Sequence, residues 1–438
     1  MRRALRTGLG NVFEHGLMRA LDAASTFVLV AALAPEEFAR LALAQAYCAP
    51  LLLILVSPSA ILYRDLASWR SESEKLAGKR IAMLRVGGVA IFAGALTVAA
   101  LLGTSNGTAS AMVWAMSLHG GMQLLAVDRE ALRLSHGLKK LSLLTFLHKG
   151  GLLGWVAWVG FGFSGNTEQR LIALSAGGLV WLAFLYLLGR ASSPIQPASR
   201  APSFGESWAF TWHSLRDFNL WSHGAGVIQS TIQSLDLTFA GFFGVPANSI
   251  GLYAVVLKLS NLTLAVPNAL VNTYAIQVSR AGTGSDDQLW RQKTLGYSGL
   301  LVLAMALQAL VMIWLFPWMT ETLARGRWGA QEQALQGQWG TWVLAGQALA
   351  AGGFLFTSYL SMRGRRVGGM RGLFFSYYLW LFSGAAIAYG VAVMAGTEEG
   401  ALDRLALANV VVGGIQGFLP LALFLRESRS EHATRQDR

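Results

Sequence analysis

Residues Gly16 to Ala42 read GLMRALDAASTFVLVAALAPEEFARLA, and the rest of the chain is organised around them. An apolar helix carries Arg19 and Asp22 within it, a Pro-Glu-Glu turn follows at Pro35 to Glu37, and a second apolar helix starts at once. At about 100° per residue, His15, Arg19, Asp22 and Thr26 fall within roughly a quarter-turn of each other. The helix is therefore apolar on most sides with one polar seam. A charge at the centre of a bilayer costs about 2.5 to 3.5 kcal/mol on insertion scales, so such residues face a cavity or a partner. An intrahelical Arg19–Asp22 pair that only locks packing is the plainer reading of these two residues.

Working outward, composition sets the class. Hydrophobic residues make up 54% of the 438-residue chain and charged residues 13%, whereas soluble domains carry about 25% charge. The apolar runs have helical rather than barrel-strand lengths, which predicts a polytopic all-α membrane protein. The net charge of +12 does not argue for nucleic acid, because the basic residues sit in short loops between apolar runs. A single cysteine, Cys48, excludes an intrachain disulfide and a cysteine metal cluster. No GxxxxGK[ST] loop marks a built-in ATPase. Arg2, Arg3 and Arg6 before an apolar run, with Ala32-Leu33-Ala34 after it, resemble a signal peptide. Arg19 and Asp22 interrupt that run and Pro35 would follow the cut, so this segment is read as an uncleaved first span.

About twelve spans of bilayer length follow. The first six are 11–33, 38–62, 81–102, 110–127, 141–161 and 170–189; the second six are 218–243, 249–277, 295–317, 339–361, 372–395 and 402–425. Most of the 35 Lys and Arg fall at the termini and in the loops on one side. The other side holds Arg40, Arg170, Arg325, Arg327 and Arg404. The positive-inside rule then places both termini in the cytoplasm. Arg19, Arg85, Lys149 and Lys258 are left within or at the edges of helices.

The stretch 192–202, SSPIQPASRAP, is an extended linker without a core of its own. The expected organisation is an N-terminal lobe over 1–190, a cytoplasmic Pro/Ser linker with an interfacial helix over 191–217, a C-terminal lobe over 218–425, and a basic cytoplasmic tail over 426–438. The interfacial helix is read from ESWAFTWHSLRDF, where Trp208 and Trp212 lie four residues apart. The halves echo each other. Pro35 to Ala42 matches Pro246 to Ala254 with one residue inserted, and Leu21-Asp22 precedes the first as Leu235-Asp236 precedes the second. Helix two contains Pro50 and Pro58, and helix eight contains Pro267. Six helices separate the copies, so the repeat is parallel, with a pseudo-two-fold axis along the membrane normal.

Polar residues recur at depth. Ser222, Gly226, Gln229, Gln233 and Asp236 follow at spacings of four, three, four and three, and Lys258, Asn261, Asn268 and Asn272 share an arc of the next helix. Helix five adds His148 and Lys149. Interhelical hydrogen bonding explains the amides and hydroxyls, at under about 2 kcal/mol each. It explains Lys149 and Lys258 less well, since such glue needs no full charge. Arg offers a fork and Lys a point charge to phosphate, so a hydrated basic cavity between the halves suits an anionic ligand.

The segment Ala20 to Ala46, ALDAASTFVLVAALAPEEFARLALAQA, resembles the opening of bacterial polysaccharide-transport proteins. These are the oligosaccharide or O-antigen flippases, which share a superfamily with the multidrug and toxic-compound extruders. An apolar helix, a Pro-acidic turn, an aromatic-Gly pair and a small-residue helix are the shared features. Phe38-Ala39 departs by carrying Ala for Gly, while Ile250-Gly251 keeps it. Two six-helix lobes extend the resemblance over nearly the whole chain. It implies a transporter in the bacterial inner membrane that flips an undecaprenyl-pyrophosphate-linked oligosaccharide to the outer leaflet, for lipopolysaccharide or exopolysaccharide assembly. A polysaccharide polymerase and glycosyltransferases are the implied partners, beside membrane lipids. Arg19, Lys149 and Lys258 are the candidates for holding the pyrophosphate, with Gln229, Gln233, Asn261 and Asn268 for the sugars. Asp22 and Asp236 pair charges or carry coupling H⁺ or Na⁺; no other cofactor, no metal and no nucleic acid is expected.

Two other classes compete. An ion-coupled multidrug exporter needs an acidic or apolar cavity for cationic drugs, which the surplus of Lys and Arg disfavours. A membrane enzyme needs a positioned His, Asp or Glu cluster. Asp128-Arg-Glu130 is the nearest, and it reads as a solvated loop. A scaffold within an export assembly is a further reading.

Overall fold

A computed structural model of the chain describes residues 2–49, 106–134, 138–192, 202–218, 220–264, 267, 270–271, 274, 285–324, 330–367, 370–396 and 400–436. Among these residues every regular element is a helix. The third expected span, 81–102, lies outside them, as do Arg85, Asn268 and Asn272. The chain divides into two compact units, Met1–Thr238 and Phe239–Arg438.

The first unit starts from the Pro-Glu-Glu turn. Helix α1 (Arg2–Ala32) ends just before it and α2 (Pro35–Cys48) begins on Pro35, where the missing N–H costs nothing because it would have no helical partner. The Ala34 N–H donates to Glu37 Oε2 at 2.9 Å. The other oxygen of Glu37 accepts from Thr167, at the start of α5 (Thr167–Ser192). Arg170 donates to the carbonyl of Ala32 at 3.3 Å. The turn is thus clasped to α5 by both of its ends. Asn166 and Gln169 cap α5 reciprocally, each backbone N–H donating to the other's side chain at 3.0 Å. Between these elements run α3 (Asn106–Leu134) and α4 (Leu138–Ala157), the latter passing into a π turn at Trp158–Gly162. Helix α1 packs along α4, α3 along α5, and α2 against α3. Leu41, Met112, Trp114, Leu152, Val156 and Leu174 form the shared core.

Helix α6 (Phe204–Phe218) precedes α7 (Leu220–Ile232) and α8 (Leu235–Phe242). One continuous helix was expected over 218–243; the chain instead turns at Gln233-Ser234. The cause is local competition for backbone groups. The Ser234 N–H reaches only to Thr231 O, at 3.1 Å, and its hydroxyl bonds the same carbonyl.

In the second unit, α8 closes on Gly244 at φ +73°. Val245 N–H donates to Ala240 O at 3.1 Å, the 6→1 bond of a Schellman motif, for which glycine supplies the left-handed residue without a Cβ clash. Helix α9 (Ala247–Ser260) then starts behind Pro246. The Pro-led restart after a short break therefore occurs at both copies of the sequence repeat. Helices α10 (Ser285–Ala324), α11 (Ala330–Val367), α12 (Met370–Leu373), α13 (Leu379–Met394) and α14 (Ala401–Gln436) complete the unit, with a π turn at Phe374–Tyr378 joining α12 to α13. Helix α11 packs on α14, α10 and α9.

Helices α11 and α14 meet backbone to backbone. A Cβ on Gly353 would lie 1.8 Å from the carbonyl oxygen of Gln416, and one on Gly413 2.0 Å from that of Gly346. Small residues at a membrane helix contact let main chains approach and maximise dispersion, the main attraction where lipid is as apolar as leucine. Outward, α10 shows Leu303, Leu307, Leu310 and Trp314 at 57 to 79% exposure. An apolar stripe of that length is a lipid-facing surface. Among the described residues five helical segments are long and apolar enough to cross a membrane: Thr167–Leu185, Leu289–Thr322, Leu335–Ser361, Met370–Met394 and Ala401–Glu427. The protein is a polytopic all-α membrane protein.

Gly353→Ala is expected to lower the unfolding midpoint in detergent, since an added methyl meets a carbonyl that cannot rotate away; overpacking of this kind costs about 1–3 kcal/mol or more. Gly414→Ala, whose Cβ would meet nothing within 4 Å, is the control and leaves the midpoint unchanged.

Candidate functional site

The sequence singles out Arg19 and Asp22 as one candidate pair. The structure gives Asp22 a different partner. Lys149 on α4 reaches Asp22 Oδ1 at 2.8 Å, with the lysine side chain 10% exposed and the aspartate 38%. This ion pair is buried on one side and open on the other. Arg19, half-buried one turn earlier on α1, makes no ion pair among the described residues. Thr26, the last member of the seam, bonds back to the carbonyl of its own helix at Asp22, at 3.0 Å, so it contributes no outward polar group.

Below this pair lies a charge cluster that the sequence reading missed. Glu14 on α1 is fully buried. Its Oε1 accepts from Arg129 on α3 and, at 2.9 Å, from Thr145 on α4. Arg129 also approaches Met18 Sδ at 3.4 Å. The expectation of a solvated loop at Asp128-Arg-Glu130 is corrected here: α3 continues to Leu134, and both Asp128 and Arg129 are buried. Arg129 is paired with Glu14 inside the bundle, so it is not part of an open acid–base cluster. His148, beside Lys149, is 1% exposed, and neither of its ring nitrogens has a hydrogen-bond partner among the described residues. Three helices thus bring together two ionic contacts, Glu14 with Arg129 and Asp22 with Lys149, with His148 buried beside Lys149.

In α7 and α8 the turn at residues 233–234 changes the phase of the expected stripe. Gln229 is half-buried and Gln233 exposed. Asp236 is buried and lies in the first turn of α8, where its Oδ1 accepts from the Leu237 N–H at 2.8 Å. A carboxylate at a helix N-terminus is stabilised by the unpaired N–H groups there. It is not the mid-helix charge that a continuous helix would have made it.

The second unit builds its polar site where α9 tightens into a 3₁₀ turn, Asn261–Leu264. Lys258 is half-buried one turn before Asn261. Gln347 on α11 organises the turn: its Nε2 donates to Asn261 Oδ1 at 3.1 Å and its Oε1 accepts from Thr263 at 2.8 Å. With its oxygen engaged by Gln347, the Asn261 amide keeps its NH₂ as the group left to donate. Higher in the same unit, Asn409 on α14 accepts from Tyr389 and donates to Tyr253, both at 3.0 Å. Trp339 Nε1 donates to Asp403 at 2.6 Å. These last contacts satisfy each other and read as helix glue. Asn268 lies outside the described residues. Among the described residues no three His, Cys, Asp or Glu side chains come together as a metal site.

The fold can be set beside solved ones. The inward-facing conformation of a multidrug resistance MATE family transporter of the MOP superfamily superposes with TM-score 0.68 at 11% identity, covering 94% of this chain and 96% of that one. The outward-facing conformation of a multidrug resistance MATE family transporter of that superfamily gives 0.63 at 12% identity, covering 97% and 96%. A Vibrio cholerae MATE transporter, solved as a point mutant, gives 0.58 at 13% identity, covering 98% and 97%. No protein-family model matches the chain, and no curated protein matches it in sequence. The chain therefore has the fold of MOP-superfamily transporters, and its described residues are all-helical as expected from its sequence.

Glu14→Gln leaves Arg129 buried without its counter-charge, and breaking one partner of such a pair costs about 3–5 kcal/mol. Glu14→Gln combined with Arg129→Met is expected to recover most of that loss, and Asp22→Asn, at the open pair, to cost less than Glu14→Gln. Denaturation midpoints of these variants and the parent protein in one detergent check the order.

Proposed function

We propose that this chain is an alternating-access transporter that flips an undecaprenyl-pyrophosphate-linked oligosaccharide from the cytoplasmic to the outer leaflet of a bacterial inner membrane. The observation that carries the reading is Arg19. Its nearest acid in sequence, Asp22, is engaged by Lys149, so the guanidinium sits half-buried on α1 with no ion pair among the described residues. Arginine in that state matches a diphosphate, which accepts two parallel N–H bonds and brings the compensating charge. Lys258 and Asn261 in the second unit, and Gln229 and Gln233 in the first, are the further candidate contacts for phosphate or sugar oxygens. Transport rather than chemistry fits the inward- and outward-facing states in which proteins of this fold occur.

Ion coupling falls to Asp22 and Asp236. A proton or Na⁺ on Asp22 would release Lys149 from its ion pair and so change the number of cations available to the substrate. Polymerase and glycosyltransferases are the partners that would supply and consume the lipid-linked sugar.

A second reading has its own support. Similar solved structures are multidrug MATE transporters, and the same architecture would serve an ion-coupled exporter. The two differ in the charge they need, since cationic drugs are repelled by Arg19 and Lys258.

Deleting the gene in its host and fractionating undecaprenyl-linked oligosaccharides by leaflet separates the readings. Accumulation on the cytoplasmic side with loss of surface polysaccharide supports the flippase; unchanged lipid-linked sugars with new drug sensitivity supports the exporter. In the complemented strain, Arg19→Gln and Lys258→Gln are each expected to reduce flipping at least about tenfold, the factor that 1.4 kcal/mol of lost binding produces, at normal membrane levels. Wild-type activity in both would remove the basic-site assignment.

A further inference from the structure

We propose that α6 is a membrane-surface anchor that lies in the headgroup layer and binds lipid through its aromatic face, independently of lipid charge. The inference goes beyond the transport reading and does not rest on it.

Helix α6 is built to start sharply. Glu206 accepts from the Ser203 backbone N–H, and Ser203 Oγ accepts from the Glu206 N–H at 3.2 Å. This reciprocal capping box fixes where the helix begins. Its length of 15 residues is too short to span a bilayer, which needs about 20. Phe204, Trp208 and Trp212 repeat every four residues and are 52, 55 and 64% exposed. At about 100° per residue they occupy an arc of about 80°. Glu206 and His213, both exposed, lie on the opposite side, about 150° from the centre of that arc. Ser207, fully buried, marks the flank that packs on the protein.

Two indoles and a phenyl ring in one exposed row would be an aggregation hazard in water. At a membrane surface they are the preferred residues, because an indole places an apolar body among acyl carbons and an N–H among the headgroups. The occupant is therefore the lipid surface itself. The helix before it in the chain, α5, already faces lipid through Val180 and Leu187, which are 71 and 62% exposed.

The helix carries Glu206, Asp217 and Arg216 as its charges. With one base against two acids it has no basic face to seek anionic lipid, unlike polybasic surface helices. Attachment must come from ring insertion.

Spin labels on single introduced cysteines test this in the full chain, in nanodiscs of phosphatidylcholine with and without phosphatidylglycerol. Cys48, the one native cysteine, is fully buried and does not compete for label. The accessibility of each label to oxygen and to a nickel chelate gives its depth. Labels replacing Trp208 and Trp212 are expected to favour oxygen, and those at Glu206 and His213 nickel, with ratios within about twofold between the two lipids. A label at Ala209 keeps both indoles. Adding Trp208→Ser and Trp212→Ser there is expected to lower the oxygen-to-nickel ratio at least about threefold. Nickel preference at every position would overturn the proposal by placing the helix in water. Exclusion of both reagents at 208 and 212 would overturn it in favour of a protein partner, and depth seen only with phosphatidylglycerol would overturn it in favour of a charge-driven contact.

Discussion

A carboxylate with no water around it governs how three helices of the first unit meet. Glu14 is fully buried, and its oxygen is shared by a guanidinium from α3 and a hydroxyl from α4. In an apolar surrounding that carboxylate is tolerable only while both donors are in reach. The requirement fixes the rotation of α1 about its axis, and so decides what the rest of α1 presents. Two turns on, Asp22 faces Lys149 on the same side of α4 as Thr145. The open ion pair inherits its position from the closed one.

The second unit is held by the opposite means. Where α11 and α14 touch, the side chain is absent at Gly346, Gly353, Gly413 and Gly417, and the main chains themselves are the packing surface. Two of its polar sets are neutral and mutually satisfied: Asn409 between Tyr389 and Tyr253, and Gln347 between Asn261 and Thr263. None of these contacts separates charge. Lys149, by contrast, belongs to the ionic contacts of the first unit, through its pair with Asp22.

Much of this was legible in the sequence, for physical reasons that can be named. Hydropathy and run length reveal spans because lipid allows few backbone solutions, and the Pro-led turn reveals its repeat because proline starts helices at both Pro35 and Pro246. Arg19, Asp22 and Lys149 stand out as charges in apolar surroundings. Glu14 did not, since it follows a basic N-terminus and resembles a solvated residue; its eight-residue spacing from Asp22 was the available signal. Asp128 and Arg129 were misplaced because hydropathy falls there although the helix does not end. The break at Gln233-Ser234 was hidden because hydroxyl-to-carbonyl competition leaves no mark on the apolar pattern. Which of two acids a lysine chooses, as Lys149 chooses Asp22, depends on the rotation of separate helices and has no local signature.

These ionic contacts also have a consequence for how the protein is made. Arg129 follows Glu14 by 115 residues and Thr145 follows it by 131. When α1 leaves the ribosome, neither donor has been synthesised, and Lys149 is later still. During biogenesis α1 therefore carries Glu14 and Asp22 into the membrane without the partners they have in the finished bundle, each at a cost of about 2.5–3.5 kcal/mol near the centre of a span. Helix α1 is made before the helices whose donors satisfy it. Its charges are compensated only once α3 and α4 are in place, which couples the placement of α1 to that of two helices made after it.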